Sequence, residues 1–248
     1  MDDKKSKAEI WYLYNSGFAV ENANHFFIFD YYLDTAKGKE RSLDSGVINL
    51  DELKDLDVTV FVSHSHFDHF KPLIFDWQKN IKNIRYVLSH DIKQTDKTAA
   101  ITIAHPGKEY VVGDVSVCTL NSTDAGVAFL IKADGLCIYH AGDLNWWHWD
   151  GEPDADNFQM AQRYKSEINK LKNKHIDLAF VPLDPRLDEN YLLGLDYFME
   201  VTDTALAIPM HFSNDYSVFE KFENDERAVP YRDKVARISC RGEHFIYK

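Results

Sequence analysis

The segment VTVFVSHSHFDHF, residues 58–70, constrains this chain more than any other. Its first five residues are β-branched or aromatic and carry no charge, which predicts a strand. Directly behind it stand His64, His66, Asp68 and His69. With 11 His in 248 residues, a window of six holds about a quarter of one by composition. Residues 64–69 hold three. The two-residue spacing of His64 and His66 aims both imidazoles the same way in extended backbone. Asp68 and His69 come next, where DHFKPLIFDW is expected to lead the chain into a helix. Four such donors within six residues can surround one point or two neighbouring points, as a metal site requires. The alternative is a helix N-cap Asp among surface histidines, but separately solvated imidazoles have no reason to adopt this spacing.

What else the chain offers decides which partners such a cluster can have. At 248 residues and 45% hydrophobic it can bury a large core. No Pro/Gly/Ser-rich linker, low-complexity tract or fixed-period repeat divides it, so residues 1–248 are expected to form a single domain. The formal charge of −12 repels polyanions and argues against nucleic acid as a partner. MDDKKSKAEI lacks the apolar run of a signal peptide, and no stretch approaches the roughly 20 apolar residues of a spanning helix. A cytoplasmic protein without a membrane partner is therefore expected. Cys118, Cys137 and Cys240 are odd in number, widely spaced and without a CxxC. They read as reduced thiols, which leaves His and carboxylate to hold any metal.

Strand-like runs fill the first two thirds: EIWYLYNSGFAVE, HFFIFDYY, VTVFV, IRYVLS (84–89), VSVCTL (115–120), GVAFLI (126–131) and LCIYH (136–140). In NFQMAQRYKSEINKLKNK (157–174), Phe158, Ala161, Tyr164, Ile168 and Leu171 recur every three or four positions, which predicts a surface helix with one apolar stripe. IDLAFVPL (176–183) suits a strand covered on both faces. A helix around 190–202, the strand ALAIPM (205–210) and a helix near 215–225 follow. This order predicts two packed sheets with helices outside and polar loops gathered at one edge.

HSHFDH resembles the signature loop of the metallo-β-lactamase superfamily, His-x-His-x-Asp-His after a buried strand, at every specified position. YHAGDLN (139–145) resembles the motif that supplies a bridging carboxylate, here Asp143, and AIPMHF (207–212) resembles the last motif, supplying His211. The opening YLYNSGFAVENANHFFIFDYY is similar to the first two strands of that family. The resemblance implies an α/β four-layer αββα sandwich and the metal ligands His64, His66, Asp68, His69, Asp143 and His211. IYHAGD and IPMHF are most similar to the branch containing L-ascorbate 6-phosphate lactonases and other zinc-dependent hydrolases.

One partner departs from the family pattern. A third His for the first metal usually precedes the bridging Asp by some 20 residues, and LNSTDAGVAFLIK has none. Alignment of its apolar strand puts Ser122 at that position, with Asp124 two residues on. Asp124 replaces the imidazole as an oxygen ligand, or the first metal is held by His64, His66 and Asp143 plus water; if 121–125 is simply an Asx-type turn, the first site is weakened and a mononuclear centre of Asp68, His69, Asp143 and His211 is the alternative. His140, three residues before Asp143, is either a substitute or supporting ligand or a buried structural histidine; strand alternation favours the latter.

The implied chemistry is hydrolysis. A divalent cation held by His and carboxylate acidifies bound water and polarises a carbonyl or phosphoryl oxygen. Asp68 is expected to orient the nucleophile and accept its proton, with His148 as a donor to an oxyanion. Zn²⁺, one ion or two, suits the ligand set, with Mn²⁺ or Fe²⁺ as alternatives where oxygen ligands increase. In WWHW (146–149), Trp146 and Trp147 either line a pocket mouth and stack on substrate or serve as packing. Arg186 in PLDPR either binds a substrate anion or pairs with Asp184 at the surface. Asn15 and Ser16 read as rim groups or as turn residues around Gly17. The expected partner is a small, anionic ester, lactone or phosphoester; a nuclease or phosphodiesterase of the same superfamily and a non-catalytic binding protein with a degenerate metal site are the competing readings.

Overall fold

The structure, a computed structural model, describes residues 8–38, 40–93 and 100–248. In chain order its strands are β1 (Ala8–Tyr14), β2 (Gly17–Glu21), β3 (Phe26–Phe29), β4 (Asp57–Val62), β5 (Asn83–Ser89), β6 (Ala100–Ala104), β7 (Glu109–Val112), β8 (Val115–Asn121), β9 (Val127–Ala133), β10 (Leu136–His140), β11 (His175–Pro182), β12 (Asp203–Met210) and β13 (His244–Tyr247). The α-helices are α1 (Leu50–Leu53), α2 (Asp154–Ile168), α3 (Leu193–Val201) and α4 (Ser217–Asn224). One sheet runs β13-β1-β2-β3-β4-β5-β6 and the other β12-β11-β10-β9-β8-β7. The sheets pack face to face and carry helical segments outside, the expected αββα sandwich.

Alternation along the strands builds the layers. Phe27, Phe29 and Phe61 point between the sheets, while Phe26, Ile28, Val60 and Val62 point outward against Ile74 and Trp77. Phe18 meets Phe180 across the interface at 4.4 Å, and Phe29 stacks on Phe61 at 5.2 Å. Each such ring contributes about 1.5–3 kcal/mol by leaving water. On the far side of the second sheet Tyr139 stacks on Phe198 of α3 at 5.0 Å.

Each sheet is mixed, and its parallel part positions the site. Strands β3 to β6 run parallel in the first sheet, and β10 to β12 in the second. The carboxyl ends of β3, β4, β10, β11 and β12 lead to Asp30, His64, Asp143, Asp184 and His211 at one edge of the sandwich. No helix among the described residues is long and apolar enough to cross a membrane.

Three expectations of local structure change. EIWYLYNSGFAVE, a single strand-like run in the sequence, is two strands, because Asn15 adopts a left-handed conformation (φ 54°) and folds the run into a hairpin, in line with the reading of Asn15 and Ser16 as turn residues around Gly17. DHFKPLIFDW does not enter an α-helix; turns closing on the His66 carbonyl lead to a 3₁₀ run from Pro72 to Lys79. The helix predicted over 157–174 begins at Asp154 and ends at Ile168, and Phe158 is 65% exposed. Asn157 takes the inward position instead. Its amide exchanges two hydrogen bonds with the Trp149 backbone, at 2.9 and 3.1 Å, and these set the rotational phase of the helix.

Candidate metal centre

Within the β4 loop, His64 and His69 are fully buried, Asp68 is half-buried and His66 is exposed. Asp143 arrives from β10 and His211 from β12, both nearly buried. The six side chains fall into two groups, His64–His66–Asp143 and Asp68–His69–His211; within each group one donor atom per residue lies within 4.8 Å of the others. Asp143 stands between them. Its Oδ2 is 3.2 Å from His64 Nε2, and its Oδ1 is 3.2 Å from His69 Nε2 and 3.4 Å from His211 Nε2.

Residues outside both groups orient the rings. Asp30 Oδ2 lies 2.7 Å from His69 Nδ1 and accepts the Ser63 hydroxyl at 2.6 Å, while its Oδ1 accepts the Ser63 N–H at 2.7 Å. With its proton given to Asp30, Ser63 Oγ accepts from His64 Nδ1 at 2.9 Å. Asp184 Oδ2 accepts from His211 Nδ1 at 2.9 Å. All three imidazoles thus carry hydrogen on Nδ1 and turn Nε2 towards Asp143. Asn15 Nδ2 donates to Asp68 Oδ2 at 3.2 Å, and the Asn15 carbonyl accepts the His211 N–H at 3.2 Å. Asp30 and His211 themselves hold positive φ, 41° and 69°, a strained backbone that side chains rarely adopt and that recurs at functional sites. At Gly126 (φ 69°) the start of β9 lies so close to the metal loop that a Cβ would stand 1.9 Å from the Ser63 carbonyl oxygen.

These contacts test whether the residues fit a metal. His64 Nε2, His69 Nε2, His211 Nε2 and Asp143 Oδ1 are buried without a hydrogen-bond partner. Imidazole lone pairs facing a carboxylate at these separations repel unless a cation lies between them, so the donor set fits a divalent metal. Burial opposes protonation of His211, but Asp143 and Asp184 outweigh it and raise its pKa to about 10. His64 is raised in the same way by Asp143 despite burial. Asp143 is driven well below the usual carboxylate range: burial works the other way, and the rings of His69, His211 and His64 overcome it.

A cavity of about 590 Å³ opens over the centre, bounded by His66, Asp68, Asp124, Trp147, Trp149 and Arg186 among others. Phe67, 83% exposed, forms part of its lip. Arg186 lies over Trp149 at 5.8 Å and grips Asp184 through Nε at 3.0 Å. The pair is more than a surface contact, since Asp184 is fully buried and holds His211.

Several predicted side chains lie elsewhere. Ser122 Oγ accepts the Asp124 N–H at 3.2 Å and is turned into its own turn. Asp124 is exposed on the cavity wall, outside both donor groups. His140 is not directed at the centre: its Nδ1 accepts the Gly142 N–H at 3.2 Å, its Nε2 donates to the Ser16 carbonyl at 2.9 Å, and its ring stacks on Phe29. Burial lowers its pKa, in keeping with this neutral form. Trp146 and His148 do not line the cavity. The loop alternates, so Trp147 and Trp149 face inward while Trp146 packs against Tyr164 and beneath Lys165. Trp147 also fixes the centre from below, donating from Nε1 to the Asp143 carbonyl at 2.9 Å.

Sequence reasoning missed Asp30 and the orienting role of Asp184. Each follows directly on a strand of the parallel part, in IFDYY and PLDPR, and that position was the available signal.

Residues 9–150 match the family model described as Beta-lactamase superfamily domain. No curated protein matches the chain. Among solved structures it is similar to Igni18, a metallo hydrolase from Ignicoccus hospitalis, at 18% identity and a TM-score of 0.65, covering 98% of this chain and 99% of that one. The metallo-beta-lactamase fold protein YhfI from Bacillus subtilis gives 13% identity and a TM-score of 0.61 over 98% and 100% of the two chains. CmlA, a diiron beta-hydroxylase from Streptomyces venezuelae, gives 11% and 0.61 over 98% of this chain and 54% of its own. At these identities the likeness is one of fold.

Proposed function

The chain belongs to the β-lactamase superfamily, and from that membership we propose that it is a metal-dependent hydrolase of a small anionic ester, lactone or phosphoester. The observation that carries this reading is the set of four buried, unpartnered donor atoms, Asp143 Oδ1 and the three imidazole nitrogens around it, directly beneath an open cavity. A divalent cation held there supplies Lewis acidity and a water acidified towards neutrality.

The chain's own groups do the rest. Asp68, tethered by Asn15 and facing the cavity, orients the attacking water and takes its proton. Arg186, held rigid by Asp184, is the only Lys or Arg bounding the cavity among the described residues, and binds the substrate's negative group. Trp149 and Trp147, stacked at 6.2 Å, offer an apolar wall to the remainder of the substrate. Zn²⁺ is the metal we assign first, with Mn²⁺ or Fe²⁺ as alternatives given the Asp68 and Asp143 oxygens. The similarity of IYHAGD and IPMHF to the lactonase branch makes sugar-phosphate lactones the first substrates to try.

A panel of lactones, aryl esters, phosphomonoesters and phosphodiesters tests the reading. Activity is expected to vanish on chelation, return with Zn²⁺ or Mn²⁺ and rise with pH through the range near 7. Hydrolysis insensitive to chelators refutes it. Metal binding without turnover of any member favours a binding protein.

A further inference from the structure

We propose that the two metal positions are unequal by construction. The position bounded by Asp68, His69, His211 and Asp143 Oδ1 fills first and holds its cation; the one bounded by His64, His66 and Asp143 Oδ2 fills second and exchanges readily. The inference rests on the metal-centre part of the proposed function and is independent of hydrolysis.

Ligand number comes first. Asp143 divides its oxygens between the groups, Oδ1 towards His69 and His211 and Oδ2 towards His64. One position therefore has four protein donors and the other three. The side that would complete the poorer position meets the 122–124 turn, where the Ser122 hydroxyl is spent on the Asp124 N–H and Asp124 belongs to neither donor group. Charge is the second difference. Two carboxylates, Asp68 and Asp143, face the first position, and Asp143 alone faces the second.

Orientation is the third. His69 is held by the Asp30 carboxylate, His211 by the Asp184 carboxylate and Asp68 by the Asn15 amide. The first position is thus assembled before metal arrives. Of the second pair, His64 is held by a neutral hydroxyl, and among the described residues none hydrogen-bonds the ring of His66. His66 is also exposed, so its side chain must be ordered when the cation binds. An orienting carboxylate is commonly worth about 10- to 100-fold in metal affinity, and all three differences act in the same direction. A gap of about 100-fold or more is expected.

The test is a calorimetric titration of the metal-stripped full-length protein with Zn²⁺ in the presence of a competing chelator, repeated with Co²⁺ to follow each step by its visible spectrum. Two one-ion steps separated by about 100-fold are expected. His66→Ala should abolish the weaker step and leave the tighter one within about threefold. Asp68→Asn should weaken the tighter step by about 10-fold or more. Both residues are outside the core, and circular dichroism checks that the variants fold. Two steps within about fivefold of each other, or loss of the tighter step in His66→Ala, overturn the proposal. Two equal ions with full hydrolytic activity would refute the inequality and leave the hydrolase reading intact, whereas unequal steps with no turnover would do the reverse.

Discussion

Gly126→Ala is the sharpest probe of how the second sheet supports the metal loop. The added Cβ would lie 1.9 Å from Ser63 O and 2.5 Å from His64 Cβ, and that same carbonyl accepts the Val127 N–H at 3.0 Å. Restoring an ordinary contact of about 3.4 Å requires a shift of about 1.5 Å in a backbone that is hydrogen-bonded on both sides. The left-handed conformation, φ 69°, costs an alanine about 1–2 kcal/mol, and forced overpacking adds about 1–3 kcal/mol. Together these predict a loss of about 2–5 kcal/mol, or a fall in Tm of about 4–20 °C for a chain of this size. Gly107→Ala is the control. Gly107 has a similar φ of 66° with no heavy atom within 4 Å of the added Cβ, so it isolates the backbone term of about 1–2 kcal/mol. Differential scanning calorimetry of both metal-free variants reads the difference, and zinc titration reads displacement of His64 as loss of the weaker step. If Gly126→Ala melts within about 2 °C of Gly107→Ala and binds zinc as the parent does, the loop is not braced through this contact and the reasoning is wrong.

Three further outcomes follow from the geometry. Asp30→Ala leaves three buried donors without an acceptor, the Ser63 N–H, the Ser63 hydroxyl and His69 Nδ1–H, and should cost about 3 kcal/mol or more in a urea melt while weakening the tighter zinc step about 10- to 100-fold; unchanged zinc affinity would mean that Asp30 does not orient His69. At the opposite edge of the sandwich, His25 lies between Asp114 at 2.9 Å and Asp134 at 3.0 Å, and these carboxylates, prevailing over burial, raise its pKa above the ordinary 6.5. Its contribution is therefore fully present below about pH 6.5 and is lost as pH climbs through the raised folded value, so the stability gap between the parent and His25→Gln should narrow with rising pH; a gap independent of pH from about 6 to 10 counts against the clamp. Asp124→Ala should leave zinc stoichiometry unchanged and lower Tm only slightly, and loss of one ion by mass spectrometry would return Asp124 to the ligand set.

Much of this protein was legible in the sequence because the relevant physics is local. Short β-branched and aromatic runs such as VTVFV and LCIYH became β4 and β10, since the strand preference of such side chains needs no knowledge of the partner strand. HSHFDH announced its chemistry for a similar reason: imidazoles crowded into one loop are a local fact. What pairs with the loop depended on contacts between residues far apart in the chain, 33 apart for Asp30 and Ser63 and 53 apart for Asn15 and Asp68. Asp30 in IFDYY is an ordinary polar residue after a strand until the parallel pairing of β3 with β4 sets it beneath Ser63 and His69. Asp184 in PLDPR suggests a surface ion pair until β11 and β12 lie side by side and bring it to His211. The direction of side chains in irregular backbone was equally a tertiary matter. Trp147 and Trp149 face the cavity and Trp146 does not, because Asn157 pins the Trp149 backbone to α2. Local composition and the crowding of donors in one loop specified which segments would be strands and which residues could bind metal. Only the closing of two sheets on one another decided which donors meet, which are held still, and which, like the ring of His66, are left without a hydrogen-bond partner among the described residues.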